Sequence, residues 1–530
     1  MKDNNRSIKI SKLLVSLFLL VFVVAPLVQL LVGIKGKDIQ EIISAPQFGP
    51  MIKNSFVTTS LATILSVGLA FILANTINRT NMRYKSVFTV LFTLPMLIPS
   101  ISHGMGLVLL FGDNGLFTNL LGININLFGY TGIVMGSVLY SFPVAFLLIN
   151  NIFQYEDYTA YEAAQVLGLT QFQQFRTITI PNLAPTLIST VFAVFTMIFT
   201  DYGVPLIVGG KTMTLPVYMY REVIGLLNFS KGAIIGVILL IPAVIAFIID
   251  LRLKDQQNVS TITKSYQTPI NPLRDRLAML FCIVAVFLVS LPIFTFIFLS
   301  FVTQYPIDLS FSLVNIKRAI DLGIGSYLLN SITVALVTAL VGTLSAYITA
   351  YLTARSKKTF STLALHMISM ISLAIPGVVL GLSFVLFFKS TFLYQTLAIL
   401  VLVNIVHFFA SPYLLAYNTL KKFNNNLEDI SESLGISRVK MILDVYLPST
   451  QDTIVEMFSY MFVNAMVTIS AVSFLANLRN MPLSMLIPQL DSQSMVEVTA
   501  IVSVVILLVN IIIKVLVYLV KRNVIKEHIS

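Results

Sequence analysis

The sequence predicts an all-α, polytopic membrane protein with about twelve transmembrane helices, arranged as two parallel repeats of six. Three observations carry this prediction. Apolar residues make up 57% of the 530 residues and charged residues only 11%. Twelve apolar stretches are each long enough to cross a bilayer core, which takes about 20 helical residues. A short sequence motif follows the fourth apolar stretch of each half, which indicates that the second half repeats the first.

The composition excludes a soluble globular protein, which carries roughly 25% charged residues. The mean hydropathy is +0.89. The formal net charge of +11 does not indicate nucleic-acid binding, because the charges lie in short links between apolar stretches and no basic run carries interleaved aromatic residues. The single cysteine, Cys282, excludes an internal disulfide and is predicted to be a small core residue.

The predicted spans begin close to the N-terminus. The first resembles a signal peptide only in outline, because no small-residue cleavage site follows it, and we expect it to be retained. The twelve spans lie near residues 13–33, 56–77, 87–111, 131–153, 187–208, 233–251, 277–302, 328–352, 363–388, 396–419, 454–476 and 498–520.

Charge asymmetry orients these spans. With the N-terminus in the cytoplasm, 23 of the 34 Lys and Arg residues fall on the cytoplasmic side, as the positive-inside rule requires. Both termini, and the loops 154–186 and 420–453, are then predicted to be cytoplasmic. The protein is expected in the cytoplasmic or inner membrane.

The repeated motif lies in those two loops. The first copy reads Tyr-Glu-Ala-Ala-Gln-Val-Leu-Gly-Leu over residues 161–169, followed by Pro181, and the second reads Asp-Ile-Ser-Glu-Ser-Leu-Gly-Ile over residues 429–436, followed by Pro448. The distance from glycine to proline is 13 residues in both copies. Apolar residues at helical spacing on either side of a glycine predict a helix, a turn with positive φ and a second helix.

Other landmarks recur in the same order. Asn54-Ser55 corresponds to Asn330-Ser331, Pro99 to Pro376, and Phe142-Pro143 to Ser411-Pro412. Because six spans is an even number, the halves point the same way across the membrane and are related by an axis along its normal. The predicted organisation is a first permease module over 1–251, a cytoplasmic linker over 252–276 and a second module over 277–530.

This loop pattern resembles the cytoplasmic loop of the membrane subunits of bacterial ABC importers. In that family the loop forms a coupling helix that docks in a groove of a separate ATPase. The second copy departs further from the pattern, with Asp429 in place of the glutamate and Ile430 and Ser431 in place of the alanines. The resemblance assigns coupling to Glu162, Ala163, Ala164, Gly168, Asp429, Glu432 and Gly435.

Across nearly its whole length the chain is similar to fused ABC importer permeases of the iron(III), thiamine and 2-aminoethylphosphonate groups. The resemblance implies two ATPase subunits that use ATP, an extracytoplasmic solute-binding protein, and a permease that is not itself an enzyme and binds no cofactor directly. Iron(III) is the favoured solute, because fused permeases of this length and span count are frequent in that group. An acid flanked by Tyr202 would also suit a cation path, since hard cations prefer oxygen ligands. Another small polar or ionic solute stays open.

Asp201 is the acidic residue that the sequence places within the fifth span or at its outer end. A charge in hydrocarbon is costly, so Asp201 should face a cavity or a partner, unless it lies at the lipid–water interface. The equivalent position in the second half is Thr468. With the neighbouring Tyr202 and Ser470, these residues form the candidate solute path.

The remaining residue patterns do not predict a nucleotide-binding site or a metal site. The run Gly209-Gly210-Lys211-Thr212 lacks the first glycine of a phosphate-binding loop, where Pro205 stands. No cluster has metal-ligand spacing, and we expect His103, His366 and His407 to be packed, hydrogen-bonded residues. Gly132 with Gly136, and Gly377 with Gly381, predict close helix packing.

Two rival classes remain. A secondary transporter driven by an ion gradient would also have duplicated halves, but it would need several charged residues deep in the spans. Apart from Asp201, we single out Glu222, Lys389 and Glu497 near span ends, and Lys514 lies within the last span. A membrane enzyme is disfavoured because no acid pair, histidine cluster or nucleophile recurs near one membrane face.

Overall fold

The computed structural model describes residues 2–122, 125–154, 156–254, 266, 268–357, 359–424 and 426–529. In these ranges the first half is helical. Its helices are α1 (Lys2–Leu19), α2 (Ala25–Val32), α3 (Gly36–Ser44), α4 (Phe48–Asn78), α5 (Lys85–Thr93), α6 (Ser100–Phe111), α7 (Leu116–Leu121), α8 (Tyr130–Gln154), α9 (Thr159–Val166), α10 (Gln171–Gln174), α11 (Ile180–Phe199), α12 (Gly203–Val208), α13 (Leu215–Tyr220) and α14 (Phe229–Lys254).

The second half repeats this pattern and adds a two-stranded antiparallel hairpin, β1 (Val302–Gln304) with β2 (Asp308–Phe311). Its helices are α15 (Pro272–Leu299), α16 (Val314–Asp321), α17 (Ile324–Ala354), α18 (Phe360–Ile371), α19 (Gly377–Phe388), α20 (Leu397–Phe408), α21 (Ala410–Lys421), α22 (Leu427–Ser433), α23 (Arg438–Met441), α24 (Leu447–Ser449), α25 (Gln451–Val467), α26 (Leu486–Ser492) and α27 (Val496–Ile529). The predicted all-α class is confirmed.

The membrane-crossing helices agree closely with the predicted spans. Within the described ranges, nine helical stretches are long and apolar enough to cross a membrane, and two bent pairs bring the number to eleven. The remaining predicted span, 454–476, corresponds to α25, which has 17 residues and ends at Val467. At 1.5 Å per residue that helix is about 25 Å long.

Three predicted spans were expected to be continuous helices and are not. Two of them, 87–111 and 363–388, break at a proline, and the third, 396–419, bends by 51° between α20 and α21. In the first, a 3₁₀ turn at Leu94–Leu97 leads to an extended Ile98, and α6 starts after Pro99. In the second, a 3₁₀ turn and an extended Ile375 precede Pro376, and the two helices meet at 110°. Proline has no N–H and forces the preceding residue out of the helical region, so both breaks fall at the paired prolines.

The fifth and eleventh predicted spans end earlier than expected. Helix α11 stops at Phe199, and α12 follows as a separate short helix, so the predicted span 187–208 is wrong at its outer end. In the second half α25 stops at Val467 and is followed by turns rather than helix. Asp201 therefore lies in the connection after the helix and not inside a span.

The repeat is confirmed by equivalent hydrogen bonds. The Asn54 side chain donates to the Met213 carbonyl at 3.0 Å, and the Ser55 hydroxyl accepts from the Leu215 N–H at 2.9 Å. In the second half, the Asn330 side chain donates to Met481 at 3.2 Å, and the Ser331 hydroxyl accepts from Leu483 at 2.6 Å. The same Asn-Ser pair thus holds the segment after the fifth predicted span in each half.

Contacts divide the chain into two compact units. The first unit contains residues 1–42, 219–240 and 316–530, and the second contains 43–218 and 241–315. Helices α1 and α2 therefore pack with second-half helices, and α15 packs with first-half helices. The predicted modules 1–251 and 277–530 follow the sequence repeat rather than these units and stay a prediction. Of the predicted linker 252–276, residues 255–265 and 267 lie outside the described part.

In each compact unit, a close contact holds the helix that comes from the other half of the sequence. In the first unit, the Phe22 ring of the segment joining α1 and α2 stacks on Phe388 of α19, with 5.8 Å between ring centroids. In the second unit, Gly106 of α6 lets Pro292 of α15 approach, because a Cβ on Gly106 would lie 2.5 Å from the Pro292 Cβ. Aromatic stacking in one unit and a small residue in the other allow close contact.

Candidate functional site

The first predicted coupling segment, residues 159–174, consists of α9, a glycine turn and α10. Gly168 has a φ of +73°. Its N–H donates to the Gln165 carbonyl at 3.0 Å, and the Leu169 N–H donates to the Ala164 carbonyl at 3.0 Å. These two bonds form a Schellman turn, in which glycine at the left-handed position ends the helix. Thr170 then caps α10 in a reciprocal capping box with Gln173.

The second predicted coupling segment, residues 427–441, has the same turn 267 residues later. Gly435 has a φ of +70°. Its N–H donates to the Glu432 carbonyl at 3.2 Å, and the Ile436 N–H donates to the Ser431 carbonyl at 2.8 Å. Ser437 caps α23 through the Lys440 N–H. The predicted helix–glycine–helix geometry is confirmed in both copies, although their sequences differ.

Both coupling segments present apolar side chains at the turn. Leu167 is 78% exposed, and Leu434, its equivalent, is 69% exposed. Phe172 and its equivalent Val439 are exposed as well. Large apolar groups in water favour covering by a partner.

The predicted coupling residues take different positions. Ala164 is buried and Ala163 is exposed, so the alanine pair has an inner and an outer member. Glu162 is half-buried, whereas Asp429 at the equivalent position is exposed. Glu432 pairs with Arg438 at 3.2 Å. The role of these residues in coupling stays a prediction.

A buried polar cluster fixes the first coupling segment from behind; we call Arg79, Glu156, Tyr161 and Thr179 the first anchor cluster. Arg79, the residue that ends α4, donates to a Glu156 carboxylate oxygen at 2.6 Å and to the Tyr161 hydroxyl oxygen at 2.8 Å. The Tyr161 hydroxyl also bonds to Glu156 and lies 2.7 Å from the Thr179 hydroxyl. Burial and then the hydrogen bond to Glu156 raise the pKa of Tyr161, so the phenol stays protonated and can donate.

A second cluster does the same in the other unit; Arg355, Glu428 and Tyr446 form the second anchor cluster. Arg355, which ends α17, contacts both carboxylate oxygens of Glu428, with 2.7 Å from Nε to Oε1. The Tyr446 hydroxyl donates to Glu428 at 2.5 Å. Arg355 also donates to the carbonyls of Phe423 and Asn424, just beyond the end of α21. Burial and then Glu428 raise the pKa of Tyr446.

Our reading of the sequence missed both anchor clusters, although a signal was present. Arg79 and Arg355 are 276 residues apart, the same offset as the Asn-Ser pair that we matched. We counted both arginines only as positive-inside charges. The structure shows that Arg355 is buried and Arg79 is mostly enclosed, with 1% and 14% of their side chains exposed.

Asp201 is buried in the second unit and has its own partners. The Ser100 hydroxyl donates to one carboxylate oxygen at 2.7 Å, and the Val204 N–H donates to the other at 3.0 Å. Asp201 therefore joins the start of α6, which follows the break at Pro99, to the start of α12. Asp201 is only 7% exposed, so protein groups rather than solvent surround its side chain. Its place in the solute path stays a prediction.

A small polar cavity of about 10 Å³, which is room for about one water molecule, adjoins Asp201. The polar part of its lining consists of hydroxyl groups and the Asp201 carboxylate. The lining residues are Ser55, Thr58, Thr59, Ile133, Ser137, Ile198, Phe199, Asp201, Pro205, Thr214 and Pro216.

The other candidate path residues occupy distinct places. Tyr202 is almost fully buried in the second unit, beside Asp201. Thr468 ends α25 in the first unit, and its carbonyl accepts from the Ser484 hydroxyl at 2.9 Å. Ser470 lies against Gly377, where a Cβ would approach the Ser470 Oγ to 2.4 Å. At the position equivalent to Asp201, the other unit therefore has the hydroxyl residue Thr468, with Ser470 two residues later.

The three histidines differ in how they are held. His103 has Nε2 3.1 Å from the Pro95 carbonyl oxygen, and His366 has Nδ1 2.5 Å from the Tyr413 hydroxyl. These two contacts agree with the expectation of packed, hydrogen-bonded histidines. The buried Nδ1 of His407 has no hydrogen-bond partner within the described part of the chain.

The two halves each match one known family. Residues 66–255 and 342–526 both match the binding-protein-dependent transport system inner membrane component. The chain belongs to this family. The permease is therefore a transport subunit of an ABC importer and a multi-pass protein of the inner membrane, with two copies of the family's domain in one chain.

Relatives of the permease match over most of its length. A ferric transport system permease protein, FbpB 1 of Haemophilus influenzae, is 26% identical over 491 residues, which cover 88% of this chain and 77% of that protein. The ferric transport system permease protein FbpB of Actinobacillus pleuropneumoniae is 25% identical, over 80% of this chain and 64% of that protein. A chain of the bacterial alginate ABC transporter, solved in complex with its pentasaccharide-bound periplasmic protein, matches with a TM-score of 0.40 and 18% identity, covering 48% of this chain and 95% of that one.

Proposed function

We propose that the permease carries a small polar or ionic solute, iron(III) first, into the cell on energy from ATP. An extracytoplasmic binding protein delivers the solute, and two separate ATPase subunits bind the two coupling segments. The permease itself hydrolyses no ATP and holds no cofactor. ATP binding would close the ATPase pair, move both coupling segments and switch the path between outward and inward access.

The observation that carries this proposal is the pair of equivalent glycine turns. Gly168 and Gly435 adopt nearly the same φ, and each turn presents an exposed leucine. Two equal docking surfaces suit two copies of one partner. Covering each leucine by a partner removes apolar surface from water, which stabilises the contact.

The orientation is part of the proposal. The excess of Lys and Arg supports a cytoplasmic location for both termini and both coupling segments. An ATPase must lie in the cytoplasm, where ATP is found, so only this orientation lets it reach the coupling segments.

Iron(III) is favoured for two reasons. Both relatives that match most of the chain carry ferric transport in their names. Among the described residues that line the small cavity beside Asp201, the polar side-chain atoms are all oxygens, and hard cations prefer oxygen ligands. 2-Aminoethylphosphonate and thiamine are the alternative solutes.

Uptake into proteoliposomes tests the proposal. The permease would be reconstituted with its partner ATPase and binding protein, and radiolabelled iron(III) would be supplied with ATP. We expect uptake that requires ATP, stops with ADP and persists when ionophores collapse ion gradients. Uptake driven by an ion gradient without ATP would contradict the proposal and favour a secondary transporter. Uptake of phosphonate or thiamine, but not iron, would overturn the solute assignment alone.

A further inference from the structure

We propose that the two anchor clusters are positioning devices that tie each coupling segment to the end of α4 or α17, and that coupling of ATP hydrolysis to transport depends on them. The inference rests on the proposed function. It names the residues that transmit movement of the coupling segments to the membrane spans. Arg79 and Arg355 are the positioning residues, because neither lies in the exposed coupling surface.

The two clusters have the same geometry with different residues. Tyr161 and Glu428 are equivalent positions in the repeat, as are Thr179 and Tyr446. In the first cluster a tyrosine stands on the coupling helix and the carboxylate comes from Glu156, five residues earlier. In the second cluster the carboxylate itself stands on the coupling helix and the tyrosine comes from the following segment. An arginine at the end of a span meets a carboxylate and a phenol in both.

This exchange of residues argues for a mechanical role. Two halves of low sequence similarity have kept the contact while changing the side chains that make it. Each arginine is held by a carboxylate, and such charge-assisted bonds are stronger than neutral ones. A buried pair fixes its two elements relative to each other, because loss of either partner leaves an uncompensated charge.

Each cluster joins three elements. Arg355 connects the end of α17, the carbonyls just after α21 and the coupling helix α22 through Glu428. The first cluster connects the end of α4 through Arg79, α9 through Tyr161 and the start of α11 through Thr179. Beside it, Asn78 of α4 donates to Asn150 of α8 at 2.7 Å. A displacement of the coupling segment is therefore passed to two spans at once rather than absorbed by a flexible loop.

The first cluster has an additional aromatic cover. The ring of Tyr266 lies 3.5 Å from the Arg79 guanidinium carbon and packs edge-on against Tyr158 and Tyr161. Cation–π contact of this kind holds the guanidinium in place. The arginine is thus fixed on both sides, by the Glu156 carboxylate and by the ring.

The equivalence of the clusters allows a transplant experiment. Glu156→Phe removes the carboxylate that pairs with Arg79. The triple change Glu156→Phe, Tyr161→Glu and Thr179→Tyr rebuilds the first cluster in the image of Phe423, Glu428 and Tyr446. In proteoliposomes, we expect Glu156→Phe to lower the ratio of solute imported to ATP hydrolysed about tenfold, in the range found for residues of coupling networks. The triple variant should regain most of that ratio.

A second readout uses the permease alone and does not depend on the proposed function. A spin label on Gln171→Cys reports motion of the first coupling segment, and the buried Cys282 gives no background label. We expect Glu156→Phe to raise the mobility of the label and the triple variant to restore it. Lys440→Cys, in the second coupling segment, serves as the matched control and should not change.

The outcomes separate the two ideas. Wild-type mobility and wild-type coupling in Glu156→Phe would overturn the anchor role, as would a triple variant that is stable yet no better than the single one. If mobility changes as expected but no variant, nor the wild type, shows ATP-dependent uptake, the proposed function fails while the anchoring contact stands.

Discussion

At the scale of single residues, Asp201 is a buried acid that connects two elements and also lines a small polar cavity. Its two oxygens accept from the Ser100 hydroxyl and the Val204 N–H, while the residue also lines the polar cavity. The sequence placed an acid near the end of a span, but the bonds depend on the helix break before Ser100. Sequence periodicity does not reveal which donors such a break turns towards the acid.

We predict that Asp201→Ala destabilises the permease more than Asp201→Asn. Alanine leaves both buried donors without an acceptor, at a cost of about 1–3 kcal/mol for each unpaired group. Asparagine keeps one acceptor oxygen. Thermal unfolding in detergent should rank wild type above Asp201→Asn, and Asp201→Asn above Asp201→Ala. A melting temperature of Asp201→Ala equal to that of wild type would contradict a stabilising role for the hydrogen bonds to Ser100 and Val204.

The solute-path role of Asp201 needs the uptake measurement on the same variant. If Asp201→Asn is produced in normal amounts but imports less solute, the charge itself contributes to the path. Full uptake by Asp201→Asn would leave Asp201 only its structural role as acceptor for Ser100 and Val204.

At the scale of elements, the paired glycines and prolines were the most informative residues in the sequence. Positive φ at Gly168 and Gly435 and the recurrence of Pro99 and Pro376 could be predicted, because glycine and proline restrict the backbone locally. The breaks at those prolines could not, since proline is also tolerated inside a helix, as at Pro143 of α8. Packing of the neighbouring elements decides between the two outcomes.

The predicted close-packing glycines are confirmed by their surroundings. A Cβ on Gly136 would lie 2.6 Å from a Val204 methyl carbon, and one on Gly381 would lie 2.6 Å from the Ala471 carbonyl oxygen. Both contacts are to the segment that follows the fifth span of the half. The glycines therefore admit that segment against α8 and α19.

We predict that Gly381→Val destabilises the permease by about 1–3 kcal/mol, the usual cost of overpacking a close contact. The obstacle is a backbone carbonyl, which cannot rotate away like a side chain. Gly68→Val is the matched control, because Gly68 is also inside a long helix but has nothing within 4 Å of its Cβ position. Thermal unfolding of both variants measures the difference. Equal melting temperatures would contradict the packing described for α19.

At the scale of the whole molecule, the duplication was readable from the sequence, whereas the composition of the compact units was not. Offsets between landmark residues gave two halves of six spans. The placement of α15 with first-half helices, and of α1 and α2 with second-half helices, depends on contacts such as that between Gly106 and Pro292. Hydrophobic patterning shows that a helix enters the membrane but not which neighbours it meets.

The predicted orientation can be tested by labelling intact cells with a membrane-impermeant thiol reagent. Cysteine at Gln173, in the first coupling segment, should stay unlabelled, and cysteine at the exposed Gln493 should be labelled as the external control. Asn425, a second site suited to this test, lies outside the described residues. Efficient labelling at Gln173 would show that the orientation is opposite to the predicted one. The coupling segments would then lie on the side of the membrane away from the ATPase.

The central claim, that the two coupling segments link ATP hydrolysis to transport, is tested most directly by the double variant Gly168→Val with Gly435→Val. Valine at positive φ costs about 1 kcal/mol or more and redirects each turn, although neither site is crowded. Gly122→Val is the control, since Gly122 has a φ of +65° and open space but lies on the predicted outer side.

Solute-stimulated ATP hydrolysis in reconstituted membranes is the measurement. The double variant should lose ATPase association or solute stimulation, and Gly122→Val should keep both. Unchanged association and stimulation in a well-produced double variant would contradict the claim.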